Sequence, residues 1–176
     1  MFNCFAIIQK EGLSPNAITF TCALKACGNM GAHKKGKDFH NDVVMKGFDT
    51  DSFMGNILVD MYAKCGSFAR AQQVFDKLVD RNVVLWTVLI TRCAEYGHSE
   101  AALNCFEQMQ LEGIPPNAVT LICILKACGN IGAKEKGQEI HAEIERNGLL
   151  NRNAFLGCTL VYMYAKCGFL SRAEEV

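Results

Sequence analysis

Several common markers are scarce or missing in this chain. Three prolines and one tryptophan occur among 176 residues, and 18 basic residues are matched by 18 acidic ones, so the formal net charge is zero. That balance removes the simplest argument for a polyanion-binding surface; any such surface must come from locally placed charge. The longest apolar stretch, Val83 to Ile90, is about eight residues broken by Thr87, against the roughly 20 that span a bilayer, so no membrane segment is expected. The opening MFNCFAIIQKEG has neither a signal peptide nor an Arg/Ser-rich transit character. No CxxC pair, GxxxxGK(S/T), GxGxxG or GxSxG occurs. Metal-ligand, phosphate-cradle and nucleophile-elbow chemistry therefore have no footing, and neither an enzyme activity, a cofactor nor a small-molecule substrate is expected of this segment.

What is present is repetition. Residues 17–47 match 118–148 at 15 of 31 positions, 53–71 match 155–173 at 12 of 19, and 3–16 match 104–117 at 8 of 14. One period of 101 residues divides into units of 35, 31 and 35. A unit of that size cannot bury its own apolar face and must stack on a neighbour, which is the logic of a helical array. Half of the residues are hydrophobic and a fifth charged, enough for an ordered core. Both ends fall inside a repeat, so the array is expected to continue in a longer chain. The period leaves no room for a domain boundary, and one solenoid is expected to fill residues 1–176.

Each unit reads as two helices. Ile57, Leu58, Met61, Tyr62 and Cys65 keep a helical period that Gly66 ends, and Ser67 is placed to cap a second helix with Ala71, Val74, Phe75 and Leu78 on its face. Trp86, Leu89, Ile90 and Cys93 make the next first-helix face; Ser99 is placed to cap the partner, whose face is Ala101, Ala102, Cys105, Phe106 and Met109. Prolines 15, 115 and 116 fall only between units. The ten cysteines recur in register (Cys4 with Cys105, Cys22 with Cys123, Cys27 with Cys128, Cys65 with Cys167), mostly beside apolar residues. They read as small buried hydrophobes in a reducing compartment. The predicted class is all-α, a right-handed α-solenoid (superhelix) of helix-turn-helix repeats resembling the tetratricopeptide architecture.

The two YAKCG segments (62–66 and 164–168), the two LKACGN segments (24–29 and 125–130) and QVFDKLVDRNVVLWTVLI closely resemble the pentatricopeptide repeat family, and in particular its plant-type PLS subclass of alternating long, short and ordinary repeats. The resemblance covers all 176 residues. It divides them into the tail of an ordinary (P) repeat at 1–16, a long (L) repeat at 17–51, a short (S) repeat at 52–82, an ordinary repeat at 83–117, a long repeat at 118–153 and a truncated short repeat at 154–176.

The resemblance implies binding of single-stranded RNA, one base per repeat, chosen by the fifth and last residues with the second residue as an apolar clamp. On this chain the base-selecting positions are Thr21, Asp51, Asn56, Asn82, Thr87, Asn117 and Asn153, with Asn16, Ile122 and Cys158 at the remaining equivalent sites. The clamps are Ile18, Phe53, Val84, Val119 and Phe155. By the family's code, Thr21 with Asp51 is a guanine-type pair, Asn56 with Asn82 a pyrimidine reader and Thr87 with Asn117 an adenine reader; Ile122 has no polar edge to offer. Lys64 and Lys166 are candidate phosphate contacts, or else lysines complementing a helix C-terminus. Lys34, Lys35 and Lys37 read as a solvated face. His141-Ala142-Glu143 matches half of a nucleobase-deaminase signature, but no PCxxC follows and His40 at the parallel position begins His-Asn-Asp, so the histidine belongs to the repeat framework. By family resemblance the location is a mitochondrion or plastid, the role lies in RNA editing, splicing or stabilisation, and RNA-processing proteins are further partners. Two other readings stand beside this one. One is a tetratricopeptide-like protein scaffold, disfavoured by unit lengths other than 34; the other is a targeting arm for a deaminase or nuclease domain elsewhere in a longer protein.

Overall fold

The computed structural model describes Phe5, residues 11–48 and residues 51–176. Cys4 and most of residues 3–10, part of the repeat match to 104–117, lie outside these. The described residues form ten α-helices and no strand: α1 (Ala17–Asn29), α2 (His33–Met45), α3 (Ser52–Lys64), α4 (Phe68–Lys77), α5 (Val83–Glu95), α6 (Ser99–Leu111), α7 (Ala118–Ile131), α8 (Lys134–Arg146), α9 (Ala154–Lys166) and α10 (Leu170–Glu175), with a 3-10 turn at Leu150–Arg152 in the longer LLNRN connection. They gather into two compact units that divide between Arg92 and Cys93.

Two kinds of helix start alternate along the chain. First helices of each pair follow an Asn or Asp whose side-chain oxygen accepts backbone N–H groups of the opening turn: Asn16 from Thr19, Asp51 from Phe53, Asn82 from Val84 and Leu85, Asn117 from Thr120 and Asn153 from Phe155, all at 2.9–3.1 Å. Such caps satisfy orphan donors and contribute about 1 kcal/mol each. Second helices follow Ala32, Ser67, His98, Ala133 and Phe169, none of which makes a side-chain cap bond. Ser67 therefore occupies the expected place without the expected bond, and Ser99 is the first helical residue, buried, rather than a cap. The turn itself does the fixing. A glycine with φ between 63° and 82° ends each first helix, and the next N–H returns to the carbonyl five residues back, as from Ser67 to Tyr62 at 2.9 Å.

In the first unit α1 packs along α3, α2 lies against both, and α4 covers α3. Phe20, Leu24 and Cys27 of α1 meet Leu58, Met61 and Tyr62 of α3 in a fully buried seam. Trp86 packs edge-on to Phe75 at 4.4 Å between ring centroids. Leu78 lies just past α4 but stays buried. In the second unit α7 packs along α9, α8 lies against both, and α6 and α10 complete the pairs. Leu121, Leu125 and Cys128 there face Leu160, Met163 and Tyr164. Ala101, expected on the α6 face, is exposed. Each interior is close-packed, and each fully buried Leu or Phe contributes about 1.5–3 kcal/mol.

One approach explains the shared LKACGN wording. A Cβ on Gly28 would sit 3.3 Å from the Met61 backbone, and one on Gly129 3.2 Å from that of Met163. Glycine lets the end of one first helix touch the last turn of the next.

The cysteines divide by angle around the helix. Cys27 and Cys128 are fully buried, and burial, with a neighbouring thiol second, pushes their thiols up to about 11 and about 12. Cys22 and Cys158 are exposed, contrary to the expectation of burial. Cys22 lies two residues from Phe20, on the far side of α1 from the core, and Cys158 is three residues beyond the exposed Phe155.

Candidate functional site

On every first helix the clamp position is followed at three, seven and eleven residues by positions on the same helical face. In the first unit these stripes are Ile18, Thr21, Lys25 and Asn29 on α1, and Phe53, Asn56, Asp60 and Lys64 on α3, with Val84 and Thr87 opening a third on α5. In the second unit they are Val119, Ile122, Lys126 and Asn130 on α7, and Phe155, Cys158, Tyr162 and Lys166 on α9. All five predicted clamps are exposed: Ile18, Phe53 and Val84 by 73, 55 and 54 %, and Val119 and Phe155 by 52 and 76 %. Single exposed apolar residues are ordinary; one at the same register of every first helix marks a surface built to meet something.

The polar atoms beside the clamps are already partly committed. Thr21 and Thr87 donate their hydroxyl protons to the carbonyls of Ala17 (2.9 Å) and Val83 (2.6 Å). What the Thr21 oxygen can still offer a ligand is an acceptor lone pair. The last residues of the repeats spend one oxygen on their caps, so Asn82 and Asn153 offer N–H donors and Asp51 a second acceptor oxygen. Asn56 differs: its amide oxygen is buried and has no partner among the described residues. A buried acceptor left unpaired costs about 1–3 kcal/mol. Ile122 is half-buried and apolar.

The two candidate phosphate lysines differ in surroundings. Lys64 Nζ lies 2.8 Å from Asp60 and donates to Asn29 Oδ1 at 3.2 Å, while Arg92 closes on the same Asp60 at 2.9 Å. Lys166 is exposed, its Nζ 5.8 Å from the Tyr162 ring centre. Lys25 and Lys126, which sequence reasoning passed over, are exposed on the stripes of α1 and α7. The signal was available: both stand seven residues after a clamp, inside the repeated LKACGN.

His141 is part of the framework. Its Nδ1 and the Tyr164 hydroxyl are 2.9 Å apart, and His40 repeats the contact with Tyr62 at 2.8 Å. Burial pushes both phenols up. No group of three or more His, Cys, Asp or Glu residues placed to hold a metal occurs among the described residues, and no helix there is long and apolar enough to cross a membrane.

Comparison with known proteins agrees with this architecture. Residues 81–130 match a model of the PPR repeat family and residues 56–83 a PPR repeat model. A pentatricopeptide repeat-containing protein of Arabidopsis thaliana described as chloroplastic is 38 % identical over 172 residues, covering 98 % of this chain and 28 % of its own length. One described as mitochondrial, from the same plant, is 36 % identical over 177 residues, covering 100 % of this chain and 32 % of itself. The chain thus spans about a third or less of these relatives. Among solved structures, the pentatricopeptide repeat protein PPR10 from maize superposes with a TM-score of 0.71 at 21 % identity, over 96 % of this chain and 26 % of that one. PPR10 in complex with an 18-nt psaJ RNA element gives 0.76 at 20 % identity, over 99 % and 26 %. At that identity the likeness speaks for the fold. With the repeat wording, the helix pairs and the family matches in agreement, this chain belongs to the pentatricopeptide repeat family.

Proposed function

We propose that this chain binds single-stranded RNA along the stripes of its first helices, the exposed apolar residue of each repeat packing between bases and the polar residues beside it choosing among them. The observation that carries this reading is the register of five exposed apolar side chains, one at the second residue of every first helix. An unpaired strand offers what that pattern fits: flat apolar faces at regular spacing with a hydrogen-bonding edge beside each.

The side-chain chemistry supports a choice of base within the first unit. Thr21 and Asp51 both offer acceptors, which suits an edge carrying two donors, as the N1–H and N2–H of guanine do. Asn56 and Asn82 offer amides, which suit the mixed edge of a pyrimidine. Ile122 reads nothing and spaces the strand. The division into long, short and ordinary repeats belongs to the same reading, as does residence of the parent protein in a plastid or mitochondrion, where relatives are placed by name. This segment supplies recognition to a longer protein acting in RNA editing, splicing or stabilisation, and the chemistry lies in another domain or a partner.

The test is selection from a randomised pool of short single-stranded RNAs by the 176-residue chain at low salt, with a duplex of the enriched sequence as competitor. Enrichment of a motif with guanine before a pyrimidine, and poor competition by the duplex, is the expected result. No enrichment, or equal competition, would overturn the reading in favour of a protein-binding scaffold.

A further inference from the structure

The zero net charge of the chain conceals a separation within its second unit. Helices α7 and α9 carry Lys126 and Lys166 and no acidic residue, whereas the six glutamates of α6 and α8 (Glu100, Glu107, Glu135, Glu139, Glu143 and Glu145) outnumber the three basic residues there, Lys134, Lys136 and Arg146. On the lysine-bearing layer stands a tyrosine that the base-reading scheme does not use. Tyr162 is 39 % exposed, lies on the stripe of Phe155, and donates its hydroxyl proton to Asn130 Oδ1 across the α7–α9 seam at 2.9 Å. Lys166 reaches toward its ring from one turn further on, at the outer limit of a cation–π contact. The ring is thus anchored at its oxygen, with the Lys166 ammonium on one side of it.

We propose that Tyr162 is a second RNA-contact site, a stacking residue for a base or ribose, with Lys126 and Lys166 meeting the flanking phosphates. The proposal rests on the RNA-binding reading and adds a contact outside the clamp and base-selecting positions. Aromatic rings beside lysines are what single strands bind without regard to sequence, because every base has a π-face and every linkage a charge. The first unit lacks this site. Asp60 holds the place of Tyr162 and closes on Lys64 and Arg92, so no ring stands there and Lys64, the counterpart of Lys166, is paired within the protein.

The experiment measures affinity of the 176-residue chain for the RNA enriched from the pool. Tyr162→Ala should weaken binding about tenfold, and Tyr162→Phe should stay within about twofold of the parent because stacking does not need the hydroxyl. If Tyr162→Phe loses as much as Tyr162→Ala, the residue acts through its bond to Asn130 and the proposal is overturned. Tyr162→Trp supplies a second readout, since its indole fluorescence should be quenched in step with binding; bound RNA without quenching would also overturn it. Val119→Asp on the neighbouring helix separates the two levels. If it abolishes binding while all Tyr162 variants are silent, this site fails and the RNA reading stands; if it too is silent, the RNA reading fails with it.

Discussion

The α1–α3 pair of the first unit and the α7–α9 pair of the second are the same object inside and different objects outside. Gly28 and Gly129 meet Met61 and Met163, His40 and His141 meet Tyr62 and Tyr164, and Cys27 and Cys128 are sealed at equivalent depth. On the exposed stripes Thr21 becomes Ile122, Asn56 becomes Cys158 and Asp60 becomes Tyr162. Stacking holds the closest points of the buried half constant, while elsewhere in it Phe20 becomes Leu121 and Ile57 becomes Thr159 without leaving the core. The solvent-facing half bears no such demand, and what varies there is free to serve recognition.

If the buried halves are equivalent, they should fail equally. Gly28→Val and Gly129→Val should each destabilise the chain by about 3 kcal/mol, because the added side chain crowds the backbone of Met61 or Met163 as well as the Lys64 or Lys166 side chain. Urea unfolding checks this, and tolerance of one but not the other would break the comparison. The clamps should show the opposite profile. Phe53→Asp and Phe155→Asp place a charge on exposed positions, so they should leave stability within about 0.5 kcal/mol while lowering RNA affinity about tenfold or more.

A sharper test of the first unit alone is Asp51→Asn. The cap to Phe53 is kept while an acceptor becomes a donor, so preference at that base should move from guanine toward adenine, whose edge pairs one donor with one acceptor. Binding to RNAs differing at one base reads the shift. Asp60→Asn should strengthen binding about two- to threefold at low salt and steepen its salt dependence by about one charge, by releasing Lys64 and Arg92; the same measurement on Lys64→Ala should show little.

The smallest effect concerns pH. Cys27 and Cys128 have thiols raised by burial, so their contribution to stability is complete below the ordinary thiol range near 9 and is lost as pH rises through about 11 and 12. Melting temperature should fall over that window, less steeply in a Cys27→Ala, Cys128→Ala double variant. At neutral pH thiol reagents should label Cys22 and Cys158 quickly and the buried pair slowly.

Helices, turns and the buried seam were legible in the sequence because they depend on local period and on glycine, both written in LKACGN and YAKCG. The five clamp positions came from the family resemblance, and the structure adds that all five side chains are exposed. What the sequence hid were contacts between helices. Nothing local says that Arg92 crosses to Asp60, 32 residues away, or that Tyr162 reaches Asn130. The cysteine expectation failed for a simpler reason: Cys22 stands beside apolar residues in the chain but on the opposite face of the helix from Phe20. The caps were misjudged because at these turns the chain is fixed by glycine and a returning backbone bond, Ser67 N–H to Tyr62, and not by the serine side chain.

The central claim, that RNA lies along the first helices, is tested most directly by cross-linking the bound strand. RNA enriched by the chain and substituted with 4-thiouridine would be irradiated in complex and the attached peptides mapped by mass spectrometry. Adducts are expected on α1, α3, α7 and α9, at or beside Phe53, Phe155 and Tyr162. Adducts confined to α2, α4, α6 and α8 would contradict the account.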